Sequence, residues 1–234
     1  MTRHERHAGR SVGGMRTVIA GGHGQIALRL ERLLAAREDE VAGIIRRPEQ
    51  ADDLREAGAE PIVLDLESAS VDEVARALAG AGAVVFAAGA GPGSGAARKE
   101  TVDRDAAVLL ADAAERAGVR RYLMVSAMGA EADPRPGTDE VFAAYLRAKG
   151  AADAEVRRRA ALEWTIVRPG RLTDDPGTGR VRLAADTGRG SVTRDDVAAV
   201  LAELLDTPST AGLTLELIEG HTPVSVAVKD VAGN

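Results

Sequence analysis

The sequence predicts an α/β fold: one domain built on a doubly wound, parallel sheet, closed by a short C-terminal substrate portion. Three observations lead there. Short β-branched runs bounded by turn residues alternate with longer Ala, Leu, Arg and Glu stretches at helical spacing, as repeated βαβ units require. The first such run ends in a glycine-rich turn that opens a helix. A balance of 45% hydrophobic and 28% charged residues over 234 positions suits one packed domain and excludes a disordered or fibrous chain.

In chain order, strands are expected at 16–20, 40–45, 60–64, 83–87, 121–126, 164–168 and 213–218. Helical stretches near 24–36, 49–57, 71–79, 100–117, 139–160 and 194–205 separate them. Ser70-Val71-Asp72-Glu73 is a capping box that starts the third helix. Thr193-Arg194-Asp195-Asp196 repeats the pattern with an aspartate, so Asp195 and Asp196 read as helix-start residues and not as a catalytic carboxylate pair. Three stretches fall outside the alternation, 89–95, 132–137 and 170–190, all following strands, where open α/β sheets bind their ligands. The last reads either as a surface loop or as a substrate lid. Residues 1–14 are expected to be a disordered extension, and residues 15–234 a single domain.

Composition narrows the chemistry. The chain has no cysteine, which excludes disulfides and thiolate metal sites, and its four histidines lack zinc-ligand spacing, so no metal is expected. A net charge of −6 and 2% aromatic residues leave neither a basic stripe nor a set of base-stacking rings; nucleic acid is not an expected partner. No run reaches the ~18 apolar residues of a membrane span, and the N-terminus lacks an apolar secretory segment. A cytoplasmic protein acting on a small molecule, without membrane association, is the expectation. Nothing in the sequence signals an oligomeric state.

Residues 17–27 read TVIAGGHGQIA, a strand running into Gly21-x-x-Gly24-x-x-Ala27 and then a helix. Gly21, Gly22, His23, Gly24, Gln25 and Ile26 are therefore candidate pyrophosphate-binding residues. Small side chains let the phosphates approach, and the free N–H groups at the positive end of the helix face them. This is the dinucleotide-binding turn of a Rossmann-type sheet. At the end of the second strand, Arg46 and Arg47 stand where an acidic residue would hold a ribose 2′-hydroxyl. Two guanidinium groups suit a 2′-phosphate, so NADP(H) is favoured over NAD(H). Asp65 and Leu66 follow the third strand, where a carboxylate and a backbone group would hold adenine. Ala87, Ala88 and Gly89 end the fourth with side chains small enough for a cofactor to lie on.

Tyr145 and Lys149 are four residues apart in a helical stretch, which puts phenol and ammonium on one face. The chain has two tyrosines and three lysines, so this spacing is hard to obtain by accident. A cation beside a phenol is expected to lower its pKa towards the range of a general acid or base. With the GGHGQIA turn, Asp65-Leu66, YLMVSAMGA after the fifth strand and WTIVRPGRLTD at the sixth, the pair resembles the short-chain dehydrogenase/reductase superfamily. Within it the sequence is similar to the atypical NAD(P)H-binding group, NmrA-like and flavin/biliverdin-reductase-like, over about residues 15–220.

The resemblance implies that Tyr145 donates or accepts a proton, that Lys149 binds the nicotinamide ribose, and that a serine after the fifth strand, Ser126, steadies the substrate oxygen. It also implies that the backbone at Pro169 and Gly170 meets the nicotinamide amide. Members of the family often carry successive hydroxyl residues at that strand end, whereas this chain reads Ser126-Ala127-Met128. Ser126 is thus either the catalytic hydroxyl or a cofactor-side or structural residue. About 60 residues follow Gly170, expected to hold mainly one helix and one strand, too few for the substrate domain of a nucleotide-sugar epimerase. The implied activity is hydride transfer from NADP(H) to a small carbonyl, quinone or flavin-like acceptor. A non-catalytic NADP(H) sensor is the alternative, and an epimerase or isomerase of the same superfamily the third.

Overall fold

The computed structural model describes residues 14–89, 100–131 and 137–233. Along the chain these form β1 (Thr17–Ala20), α1 (Gln25–Ala36), β2 (Val41–Ile45), α2 (Ala51–Glu56), β3 (Glu60–Val63), α3 (Val71–Ala77) and β4 (Ala83–Phe86). There follow α4 (Ala106–Ala117), β5 (Arg121–Val125), α5 (Glu140–Arg157), β6 (Glu163–Pro169), β7 (Arg171–Thr173), β8 (Arg180–Ala184) and β9 (Ser191–Thr193). The chain closes with α6 (Arg194–Leu205), β10 (Leu213–Glu219), β11 (Thr222–Pro223) and α7 (Val224–Ala232). A π-helical turn, Glu100–Asp105, leads into α4.

The main sheet runs β11-β8-β10-β6-β5-β4-β1-β2-β3, parallel from β10 to β3, with β8 antiparallel to β10. The order reverses between β1 and β4, the point where doubly wound sheets open a ligand crevice at their carboxyl ends. Strands β1, β2, β4 and β5 are buried along their whole length, which is why they read as unbroken apolar runs. Alternate residues feed two cores. Ile19, Val85 and Leu123 face α1, α2 and α6, while Val18, Val84, Phe86 and Met124 face α3, α4 and α5.

The expected helix-start signals form as hydrogen bonds. Ser70 and Glu73 close the capping box of α3, and the Thr193 hydroxyl accepts from the Asp196 N–H at the start of α6. Asp195 and Asp196 also clamp the loop before β8, accepting from the N–H groups of Gly177, Thr178 and Gly179.

Two expectations need correction. Segment 170–190 is not one continuous loop: β7 pairs with β9, and β8 extends the main sheet against β10, with irregular stretches between them. In β8 the buried Val181 and Leu183 alternate with the exposed Arg180 and Arg182, so this antiparallel strand has a solvated face. The C-terminal part, expected to be mainly one helix and one strand, carries a further helix, α7. Its sequence VSVAVKDVA is β-branched, yet it forms a helix because Ala227 and Val228 find buried places in the core.

Two buried ionisable groups mark what the packing costs. Burial lowers the Arg121 guanidinium to about 10, but it donates to the Glu163 and Leu204 carbonyls and to the Thr165 and Thr210 hydroxyls, joining β5, β6 and α6. Glu31, on α1, is fully buried beneath the glycine turn, and among the described residues neither of its oxygens has a hydrogen-bond partner. Its Oε1 lies 2.6 Å from where a Cβ on Gly43 would stand. Burial raises its pKa from 4.5 to about 8, so between those values the folded chain holds a proton that the unfolded chain has released. Stability therefore falls as pH rises through that window and levels off above it, by on the order of 3–5 kcal/mol. Glu31→Gln is expected to flatten that decline, read from urea midpoints between acid and alkaline pH. Parallel curves for the two proteins would contradict a protonated Glu31.

Candidate active site

The glycine turn is built by β1 and β2 together. The N–H groups of Gly21 and Gly22 both donate to the Ile44 carbonyl, at 3.2 and 3.0 Å, and Gly24 donates to the Gly21 carbonyl at 2.8 Å. Gly21 sits at φ +81°, and a Cβ on it would lie 2.6 Å from Cα of Ala88. Glycine is thus demanded twice, by the backbone conformation and by contact with the end of β4. Gly24 precedes α1 with no side-chain cap and no acidic residue in the first turn, leaving the positive helix start open to an anion.

A cleft of about 290 Å³ lies along this seam. Gly21, His23, Gly24, Arg46, Asp65, Leu66, Ala87, Ala88 and Gly89 line it, so the structure brings together nine of the residues read from the sequence. Glu67, Val102 and Ala106, which sequence reading passed over, are also part of its wall. The remaining candidates lie elsewhere. Gly22 packs against Gly43, and Ile26 belongs to the core. The Gln25 side chain turns to Arg29, and exposed Arg47 heads the Pro48–Gln50 turn, its N–H donating to Gln50 Oε1. His23 is tied by Nε2 to Asp53 Oδ2 at 2.5 Å, which fastens the glycine turn to α2.

The second half of the site is set by α5, capped by Asp139, whose Oδ1 accepts from the Phe142 N–H. Tyr145, Lys149 and Asp153 recur every four residues along one face. Lys149 is 3% exposed. Its ammonium donates to the Val125 carbonyl at 3.1 Å and to the Ala88 carbonyl at 3.5 Å. It pairs with Asp103 at 3.3 Å and lies 5.4 Å from the Phe86 ring centre. The Tyr145 ring centre is 5.9 Å from the same nitrogen, and its ring stacks on Phe142.

The expectation that Lys149 lowers the phenol is corrected. Burial, then the negative charges of Asp103 and Asp153, push Tyr145 well above the ordinary tyrosine range. The ammonium is shared with Asp103, so its field at the phenol is offset.

Ser126 is buried, with its N–H given to the Val167 carbonyl and its side chain beside Asp153, whose carboxyl is raised by burial against the opposing pull of Ser126 and Arg168. Asp153 accepts from Arg168 at 2.7 and 2.9 Å, and Arg168 reaches on to Glu131 at 2.8 Å. Pro169 and Gly170 follow Arg168. The Pro169 carbonyl accepts from Met128, and the Gly170 N–H is committed to Leu217, so that N–H has no bond to offer a nicotinamide amide. The 100–117 helix was read correctly as helical, but its first turn is π-helical and carries Asp103 inward, which no periodicity signals. Asp153 was legible in principle, eight residues from Tyr145 on the same face. Arg98 and Lys99, which read either as contacts for an anionic substrate or as a solvated helix start, lie outside the described residues.

A family model described as NAD(P)H-binding matches residues 21–208, from the glycine turn to just past α6. The chain belongs to the NAD(P)H-binding family. It is 38% identical to the uncharacterized sugar epimerase YhfK of Bacillus subtilis over 92% of this chain and 99% of that one. Among solved structures it is similar to a Bacillus halodurans protein provisionally named an NAD-dependent epimerase/dehydratase, with 38% identity, a TM-score of 0.85, and 93% and 100% of the two chains covered. An anaerobilin reductase from Escherichia coli O157:H7 matches at 27% identity and a TM-score of 0.71, over 88% and 97%. The resemblance to atypical short-chain dehydrogenases/reductases is borne out. Among the described residues no helix is long and apolar enough to cross a membrane.

In this NAD(P)H-binding chain the phenol is set to keep its proton at neutral pH. Asp103→Asn is expected to move the Tyr145 titration downward, because it removes a negative charge and leaves the Lys149 ammonium unshared. Phenolate absorbance during an alkaline titration reads this, with Tyr145→Phe as the blank; Tyr122, raised by full burial, stays silent. A titration identical to wild type would show that Asp103 does not act on the phenol.

Proposed function

We propose that the protein is an NADP(H)-dependent oxidoreductase that reduces a small carbonyl, quinone or flavin-like acceptor, with Tyr145 supplying the proton. The observation that carries this reading is the face of α5. A phenol that holds its proton stands one turn from a buried ammonium, and that ammonium touches the carbonyls of Ala88 and Val125 at the carboxyl ends of β4 and β5.

The cleft fits a dinucleotide on its own geometry. The helix start is uncapped, Gly21 and Ala88 leave no side chain between β1 and β4, and Arg46 stands at the end of β2 to receive a 2′-phosphate. When bound, the reduced nicotinamide supplies a hydride. The chain supplies everything else. Tyr145 Oη releases its proton to the acceptor atom left electron-rich by hydride arrival. Lys149 stabilises the tyrosinate that remains, while Asp103 and the Val125 carbonyl hold the ammonium in place. Asp153, paired with Arg168, fixes the next turn of the same helix face.

The name of the Bacillus subtilis relative favours a second reading, epimerisation, in which the same tyrosine takes and returns a proton and the hydride goes back to its donor. Net oxidation of NADPH by an acceptor distinguishes the two. Tyr145→Phe is expected to lower kcat for the reductase by about 10²–10⁴-fold, the usual worth of a positioned acid, with NADPH affinity nearly intact. Steady-state kinetics and a binding titration on one preparation measure both. Unchanged turnover in the variant would remove Tyr145 from the mechanism.

A further inference from the structure

The guanidinium offered to a 2′-phosphate already has a carboxylate partner. Arg46 Nη1 lies 3.2 Å from Glu67 Oε2, and the other oxygen of Glu67 accepts from the Thr101 hydroxyl at 2.9 Å. The turn after β3 fixes that carboxylate in place. Asp65 Oδ1 accepts from the Glu67 N–H, and the Asp65 carbonyl accepts from the N–H groups of Ser68 and Ala69. Glu67 and Arg46 both line the cleft, with side chains 26% and 42% exposed. The pair is therefore neither buried nor fully screened.

We infer that Glu67 is a selectivity-setting residue: it competes with the 2′-phosphate of NADP(H) for Arg46 and thereby narrows the chain's discrimination against NAD(H). This rests on the dinucleotide reading above and adds a term to it. An NADP(H) phosphate arriving at Arg46 meets a carboxylate within ion-pair distance of the same guanidinium. It must displace Glu67 or share the cation against like-charge repulsion. A 2′-hydroxyl carries no charge, can donate to the carboxylate, and meets neither cost. The arginine favours the phosphate and the glutamate opposes it, so the net preference is the difference between two opposed charges.

The test is a dinucleotide titration by nicotinamide fluorescence on wild type, Glu67→Gln, Arg46→Ala and Thr101→Val. Glu67→Gln keeps the shape and an acceptor for Thr101 but removes the charge. It is expected to tighten NADPH about tenfold while leaving NADH within about twofold, as removal of one like charge near a partly exposed phosphate should. Arg46→Ala is expected to weaken NADPH and leave NADH nearly unchanged. Thr101→Val, which breaks the tether and keeps the charge, is expected to leave the NADPH-to-NADH ratio as in wild type. If NADPH binds but its ratio to NADH is the same in Glu67→Gln as in wild type, the competition is refuted and the dinucleotide reading stands. If the ratio changes as much in Thr101→Val as in Glu67→Gln, tethering and not charge sets it, which also refutes the inference. Failure of wild type to bind either dinucleotide overturns the reading beneath it.

Discussion

The site depends on one buried ammonium. Lys149 sits in the interior with Asp103 on one side, the Val125 carbonyl on another and the Phe86 ring below. A buried ion pair adds little net stability, because desolvation consumes most of its Coulomb gain. What it supplies is position. The contacts bind the ends of β4 and β5, the middle of α5 and the π-helical turn before α4 to a single charged atom. Losing either partner removes an opposite charge from the side of a buried one, so the pair holds these elements in one arrangement.

From that atom the two ends of the groove are linked through one short segment. Thr101 reaches Glu67 beside Arg46 at the end of β2, and Asp103, two residues on, reaches Lys149 on α5. The same turn thus touches both the carboxylate paired with Arg46 and the ammonium one helical turn from Tyr145. Gly150 supports this packing from the other side: a Cβ there would lie 2.1 Å from the Ala130 carbonyl, so α5 can lie this close to the loop after β5 only with glycine next to Lys149. The catalytic helix is located by backbone contact as much as by side chains.

Much of this was legible in the sequence because the signals were local and periodic. The β1 turn, the Ser70 and Thr193 caps and the Tyr145/Lys149 spacing each declare themselves within a few residues, and each needs no knowledge of the tertiary structure. What was missed depends on distant packing. Helix α7 forms from a β-branched stretch because the core buries one side of it, and β8 was obscured by the glycines on either side of a clear alternation of Val181 and Leu183 with arginines. Asp103 and Glu67 belong to no motif or periodic signal of their own, and only the fold shows one fully buried against Lys149 and the other set on Arg46. The direction of the Tyr145 shift was missed for the same reason, since sequence spacing brings in the lysine and leaves out the two carboxylates and the burial that outweigh it.

Everything proposed for the site rests on a dinucleotide lying in the seam where β1 and β4 meet. Its most direct measurement is a titration of NADPH and of NADH into wild type and Gly21→Val, followed by nicotinamide fluorescence, with the fold of each protein checked by circular dichroism. The account predicts saturable one-to-one binding by wild type. It predicts loss of that binding in a folded Gly21→Val, whose side chain would have to occupy φ +81° against Ala88. A wild-type protein that saturates with neither dinucleotide, or a variant that binds as well as wild type, would contradict it.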